Sequence, residues 1–299
     1  MKFLLLSLLL ILSTFGFSQK LIIATYRYAE NDRVRNITPF ADHFAKTCGC
    51  EVQVKSYESV AALLAAMDQG EPSIVFINTF GYLMLREKNQ NYQPSASLQI
   101  AENKKSNYQS VMVASQASGI KSLDDLKVNA ATRSLLLVNA GSTSGNLVPR
   151  ILLSSLGLLD AEKSFKQVTY TRNHLLTLKQ IAEGKGDVGA FGSEEYDKAL
   201  KADPEMVKKV TLLWTSDDIP LGPVVYKKEL SRQQHKCLET TLLELHEKNP
   251  AALEGIKGGW TEAYPTNRFG KANDRDYENW LKKTGNAAAA LEIIRKFAQ

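Results

Sequence analysis

Strand-like and helix-like patterns alternate along this chain, pause, and begin again, and no other feature restricts the fold as strongly. Residues 20–25 form a short β-branched run, and residues 37–47 place Ile37, Phe40, Phe44 and Ala45 at helical spacing around a Thr38-Pro39 start. Residues 52–57 alternate as a strand, 59–69 carry Leu63, Leu64 and Met67 on a helix, and 73–77 are a continuous apolar run between Pro72 and Asn78. A βαβαβ order predicts a parallel sheet with helices on its faces, and ligands of such sheets sit beyond the carboxyl ends of the strands. Thr25, Tyr26, Asn78 and Thr79 occupy those ends.

The rhythm then restarts. Residues 110–115 are apolar, Ser122 before Asp124 and Asp125 opens a short helix, and 135–139, 165–170 and 188–191 read as strands separated by helices over 142–156 and 175–183. Two further runs, 210–215 and 224–226, flank a loop holding Pro220, Gly222 and Pro223, which predicts a return crossing. The expected organisation is therefore two lobes, one from residues 19–114 with 224–299 and the other from 115–223, with a mostly helical stretch after Ser231.

The most specific motif lies where the second lobe's first strand meets its helix, at Gly141-Ser142-Thr143-Ser144-Gly145-Asn146-Leu147-Val148-Pro149. The first N–H groups of a helix lack internal partners and carry the positive end of its dipole, so an oxyanion fits there. An ordinary N-cap uses one hydroxyl; three in a row exceed that need. Ser142, Thr143 and Ser144 can add donors, while Gly141 and Gly145 are expected to let the backbone approach a tetrahedral group.

Met1-Lys2-Phe3 is followed by an apolar run to Phe17 and small residues Gly16 and Ser18 before Gln19, the pattern of a cleaved secretory signal over 1–18. The run is shorter than the roughly 20 residues that span a bilayer, so an exported or periplasmic, soluble product is expected. A net charge of +5 is spread along the chain, with clusters such as Lys208-Lys209 on solvated helices, which argues against a nucleic-acid groove or a polybasic membrane patch. Export permits disulfides; Cys48, Cys50 and Cys237 leave open a tight C-x-C ring or a bond from Cys237 to either of the others. Metal binding is not expected, since His43 is the only ligand type near the C-x-C pair.

With these motifs in place, the chain resembles the phosphonate/phosphite-binding proteins of ABC transporters, a branch of the type 2 periplasmic binding proteins. The resemblance runs through S-T-S-G-x-L-V-P at Ser142–Pro149, Thr38-Pro39-Phe40, Tyr108 before the strand at 110, Ser122–Lys127, Gly186–Ala190, Ile219-Pro220 with Gly222-Pro223, Val224–Lys228 and Asp276-Tyr277. It implies a two-lobed α/β fold, each lobe a mainly parallel sheet flanked by helices, with the ligand in the cleft between them. It also implies a small phosphorus oxyanion held by Ser142, Thr143 and Ser144, with His174 donating from the opposite wall; Gly145, Tyr108 and the strand-end residues Tyr26, Asn78 and Thr79 are expected to complete the site. A monomer serving an ABC permease, without a cofactor, follows from the same resemblance. The chain departs from the pattern where an aromatic residue is usual near the end of the third strand, having Ile77 and Asn78 there, with Tyr82 a substitute four residues on. Leu175 stands where binders of aminoalkyl ligands carry an acid, which favours a bare anion or a small apolar substituent.

Arg27 and Arg150 are read as solvated charge, at most peripheral attraction for the anion. A serine hydrolase using Ser142 or Ser144 with His174 is disfavoured, because no G-x-S-x-G elbow is present and three adjacent hydroxyls do not single out a nucleophile. A sensor that presents ligand to a receptor would use the same binding residues, and residues alone do not separate it from a transport component.

Overall fold

The longest uninterrupted apolar runs become the central strands, as burial on both faces requires: every residue of Ile74–Phe76, Ser110–Ser115 and Val188–Gly192 is buried. The structure, a computed structural model, describes residues 20–29, 31–106 and 108–299, so the secretory signal expected over 1–18 lies outside the described residues. In chain order the strands are β1 (Leu21–Tyr26), β2 (Val52–Tyr57), β3 (Ile74–Phe76), β4 (Tyr92–Ile100), β5 (Ser110–Ser115), β6 (Ser134–Leu137), β7 (Gln167–Tyr170), β8 (Val188–Gly192), β9 (Val210–Thr215), β10 (Pro223–Lys227) and β11 (Thr266–Lys271).

They form two sheets, ordered β11-β4-β10-β3-β1-β2 and β7-β6-β8-β5-β9. Each has a parallel half, β2-β1-β3 in the first and β7-β6-β8 in the second, extended by antiparallel strands. The sheets are therefore mixed rather than mainly parallel. Of the antiparallel strands, β5 and β10 follow the two crossings, where the chain arrives from the other sheet instead of through a βαβ connection. The crossing also comes earlier than the division at 114/115 expected from sequence: among the described residues β5 pairs with β8 and β9, both in the second sheet. An apolar run specifies a strand but not which sheet receives it.

Helices cover both faces of each sheet, giving two apolar clusters per sheet. Side-chain caps fix several starts, including Ser59 before Val60–Asp68, Asn78 before Thr79–Lys88 and Asn173 before His174–Ala182. The first helix begins at Val34 rather than at Thr38-Pro39, with Pro39 inside it; the Thr38 hydroxyl donates to the Val34 carbonyl at 2.7 Å. Cys48 is bonded to Cys237, tying that helix to Arg232–Leu243, and Cys50 is free.

The two crossings lie side by side. Ile219 N–H donates to Tyr108 O and Ser216 N–H to Ser110 O, both at 2.8 Å. Tyr277 Oη and Trp280 Nε1 donate to the carbonyls of Leu221 and Asp218, and Thr79 Oγ1 to that of Pro220. Helix Ala287–Ala298 reaches back to the second sheet's helices through Lys296 with Asp160 and Glu162, and through Phe297 beneath Arg150.

Candidate functional site

A cleft of about 790 Å³ opens between the sheets, lined by the ends of β1, β3 and β6 and by the turn that follows β6. That turn is the Ser/Thr motif. Instead of running directly into an α-helix, residues Thr143–Leu147 make one wide π turn, with Leu147 N–H bonded to Ser142 O at 3.1 Å, before the α-helix Val148–Ser155. Ser142 Oγ accepts from Gly145 N–H, and Thr143 Oγ1 accepts from Phe80 N–H of the first sheet, both at 3.0 Å. Each hydroxyl thus has an acceptor site filled by backbone; Ser142 keeps its own proton to donate, whereas Thr143 is also hydrogen-bonded to the Tyr108 hydroxyl. Among the described residues no acceptor serves the main-chain N–H of Thr143 or Ser144.

The glycines of the motif serve packing. A Cβ on Gly145 would sit 2.2 Å from Val138 Cγ2, and one on Gly141 would sit 2.8 Å from Val60 Cβ across the cleft. Gly145 therefore does not line the cavity, contrary to expectation; it lets the turn settle on β6. Ser142, Thr143, Ser144, Tyr26, Asn78, Tyr108 and His174 all do line it. Thr79 does not; it is fully buried against the second crossing. Asn78 is at the cleft with both its oxygen and its nitrogen engaged, Oδ1 accepting from Gly81 N–H and Nδ2 donating to Gly141 O, each at 2.9 Å. Ile77 and Tyr82 are both buried away from the cavity, and Tyr82 bonds Asp274 instead of replacing the aromatic residue missing from the end of β3.

His174 is the first residue of its helix. Its Nδ1 accepts from Gly192 N–H at 2.8 Å, so the neutral ring carries its proton on Nε2. Burial, then the charges of Lys198 and Arg33, pull its pKa down to about 3, so it is a neutral donor at any working pH. Its main-chain N–H donates to Tyr28 Oη at 3.1 Å, a bond between the two lobes.

The structure adds charged groups that motif reading passed over. Glu194, from the first turn after β8, is 3% exposed, and its Oε1 accepts from Thr261 Oγ1 of the first lobe at 3.2 Å. Its Oε2 has no partner among the described residues. Burial, reinforced by Glu262, raises its pKa to about 8, and burial likewise pushes Glu262 up. Acidic groups thus face the cleft from Glu58, Glu195 and Glu262, with Glu194 behind, although Leu175 is apolar. The bare-anion preference drawn from Leu175 loses its basis, because the acids come from other elements. Arg33 also lines the cleft, buried among Tyr26, Tyr28 and Trp260. None of these sits in a local motif; Arg33 reads in sequence as one charge among Asn31, Asp32 and Arg35.

Arg27 lies at the cleft's rim, paired with Asp32 and Glu58. Arg150 is not solvated: it is 5% exposed, with Nε on Asn146 Oδ1 at 2.7 Å and its other nitrogens on Glu162 and Tyr170. Asn146 in turn donates to Ala140 O at 2.7 Å. Arg150 thus anchors the motif from behind and never reaches the cavity.

Two α/β sheets joined by paired crossings, with a donor-lined cleft between them, define a two-lobed periplasmic binding protein. The chain belongs to the family described as ABC transporter, phosphonate, periplasmic substrate-binding protein, which matches residues 23–277. It is 27% identical over 194 residues to the phosphonates-binding periplasmic protein of Escherichia coli (strain K12), a match covering 65% of this chain and 56% of that protein. The chain thus spans little more than half the length of the curated relatives it matches. A binding-protein component of an ABC phosphonate transporter from Pseudomonas aeruginosa shares the fold, with TM-score 0.66, 21% identity and coverage of 93% of this chain and 94% of that one. PhnD1 from Prochlorococcus marinus, solved with methylphosphonate, does so with TM-score 0.69, 19% identity and coverage of 90% and 98%.

Proposed function

We propose that this protein is an exported, monomeric binding component that captures a small phosphorus oxyanion (phosphonate, phosphite or phosphate) between its lobes and delivers it to an ABC permease. One observation carries the reading. The Ser142 hydroxyl is oriented by a backbone N–H donor so that its own proton remains for a ligand, with Thr143 bonded to Tyr108 beside it, next to unpaired N–H groups and the Nε2–H of His174. The neutral donors on the second lobe's side of the cavity suit an oxyanion, whose oxygens must all be hydrogen-bonded once water is removed. Closure around it distinguishes loaded from empty protein for the permease, because a ligand shifts the lobes only through contacts made in the closed state.

The same geometry argues against hydrolysis. A histidine with Nδ1 occupied as acceptor and Nε2 protonated has no lone pair left to take a serine proton. A sensor with the same cleft is separated by the partner it engages, a receptor rather than a permease.

Titration calorimetry of ligand-stripped protein against phosphite, methylphosphonate, 2-aminoethylphosphonate, phosphate and sulfate tests the reading, with a Ser142→Ala/Thr143→Ala double variant beside it. Micromolar or tighter binding of one phosphorus oxyanion, lost in the variant, is the expected result. Wild-type protein that binds none of the five sinks it. Tight binding of 2-aminoethylphosphonate alone would place its ammonium against the acidic wall.

A further inference from the structure

A ligand holds two lobes together only if both supply contacts. In the first lobe the nominated polar groups are largely taken: Asn78 is bonded to Gly81 and Gly141, and Thr79 to Pro220. Arg33 remains. It is 4% exposed, yet it lines the same cavity as Ser142–Ser144 and His174. Its guanidinium carbon lies 4.5 Å from the ring centre of Tyr26, 4.3 Å from that of Trp260 and 5.4 Å from that of Tyr28. Nε donates to Gly259 O at 2.6 Å and Nη1 to Tyr26 O at 3.5 Å. Among the described residues no carboxylate lies within 4 Å of it, although Glu262 interacts with it at longer range.

A guanidinium stays charged at any physiological pH, and a buried charge without a counter-ion is costly. The aromatic faces offset part of that cost; two carbonyls and the Tyr26 hydroxyl take some of its five donors. The missing negative charge and the cleft that would receive a negative ligand coincide at this side chain. A purely structural arginine has no reason to be left unpaired at that place, as Arg150 illustrates with its Glu162 partner.

We propose that Arg33 is the first lobe's contact for the ligand, a fixed cation that closes on the oxyanion held at Ser142–Ser144 and selects doubly charged oxyanions over singly charged ones of the same shape. The proposal rests on the reading of the cleft as an oxyanion site. It makes the first lobe recognise charge, while the second recognises shape through neutral donors. Arg33 is thereby a specificity-determining residue.

The probes are methylphosphonate and methanesulfonate, which share size and shape and differ by one charge at pH 8.5, titrated into ligand-stripped wild-type, Arg33→Gln, Arg33→Lys and Glu262→Gln proteins. Wild type is expected to prefer methylphosphonate by tenfold or more. Arg33→Gln should lose at least tenfold in methylphosphonate affinity and most of that preference, with Arg33→Lys between the two. Because Arg33→Gln disturbs the aromatic stack, Glu262→Gln supplies the second measurement: it leaves Arg33 packed, removes the competing carboxylate, and should tighten methylphosphonate severalfold. Folded Arg33→Gln protein that retains affinity within threefold, or Glu262→Gln protein that binds no more tightly than wild type, overturns the proposal while leaving the oxyanion site standing. Wild-type protein that binds neither methylphosphonate nor any other phosphorus oxyanion removes both readings together.

Discussion

Glu194→Gln isolates one buried carboxyl in a single isosteric change. In the folded protein Glu194 is buried with Oε2 unpaired, and burial together with Glu262 lifts its pKa from 4.5 to about 8. Folding therefore takes up a proton between these pH values, and stability falls as pH rises through the window by ~1.4 kcal/mol per pH unit. The accumulated cost is on the order of 3 kcal/mol at pH 7 and levels off above pH 8. Glutamine is neutral throughout, so the variant should melt close to wild type near pH 4.5 and progressively higher above it, by ~5 °C or more at pH 8. His174 acts with the opposite sign: its pKa of about 3 against 6.5 gives stability that is complete above 6.5 and lost as pH falls toward 3. That acid limb should be common to both proteins. Thermal melting from pH 4 to 9 followed by circular dichroism measures both limbs. Parallel profiles for variant and wild type would refute the reasoning, since they would mean that Glu194 ionises freely in water and the lobe contact with Thr261 is not made.

Gly145→Ala drives a methyl group to 2.2 Å from Val138 Cγ2, and should cost ~1–3 kcal/mol by overpacking while weakening oxyanion binding; denaturant midpoints and calorimetry check the two effects. The Cys48–Cys237 bond closes a separation of 189 residues, for which the chain-entropy estimate is about 5 kcal/mol. Reduction should lower the urea midpoint accordingly, and Cys50→Ser should leave it unchanged. Arg150→Met leaves Glu162 without its guanidinium and releases Asn146. A loss of about 2 kcal/mol is expected, below the 3–5 kcal/mol of a fully buried pair because Glu162 is partly exposed, together with weaker ligand binding read by calorimetry.

Local periodicity carried much of this protein. The apolar runs at 73–77, 110–115 and 188–191 and the helices between them follow from spacing alone, because burial on one or both faces is written at i+2 or i+3/i+4. Three hydroxyls beside a helix start announced donors for an anion for the same local reason. Two strands escaped: β4 contains Pro94, Ser95 and Ser97, and β11 contains Arg268 and Gly270, so neither alternates cleanly. Their pairing comes from neighbours far along the chain. Tertiary structure alone decided that β5 joins the second sheet, that Cys48 and not Cys50 meets Cys237, and that Asn78 and Thr79 bond protein groups at the cleft and hinge. It likewise brought Arg33, Glu195 and Glu262 to one cavity from three distant segments, with Glu194 behind them. A residue's type fixes what it can donate or accept, whereas its remaining capacity depends on which partners folding has already placed beside it.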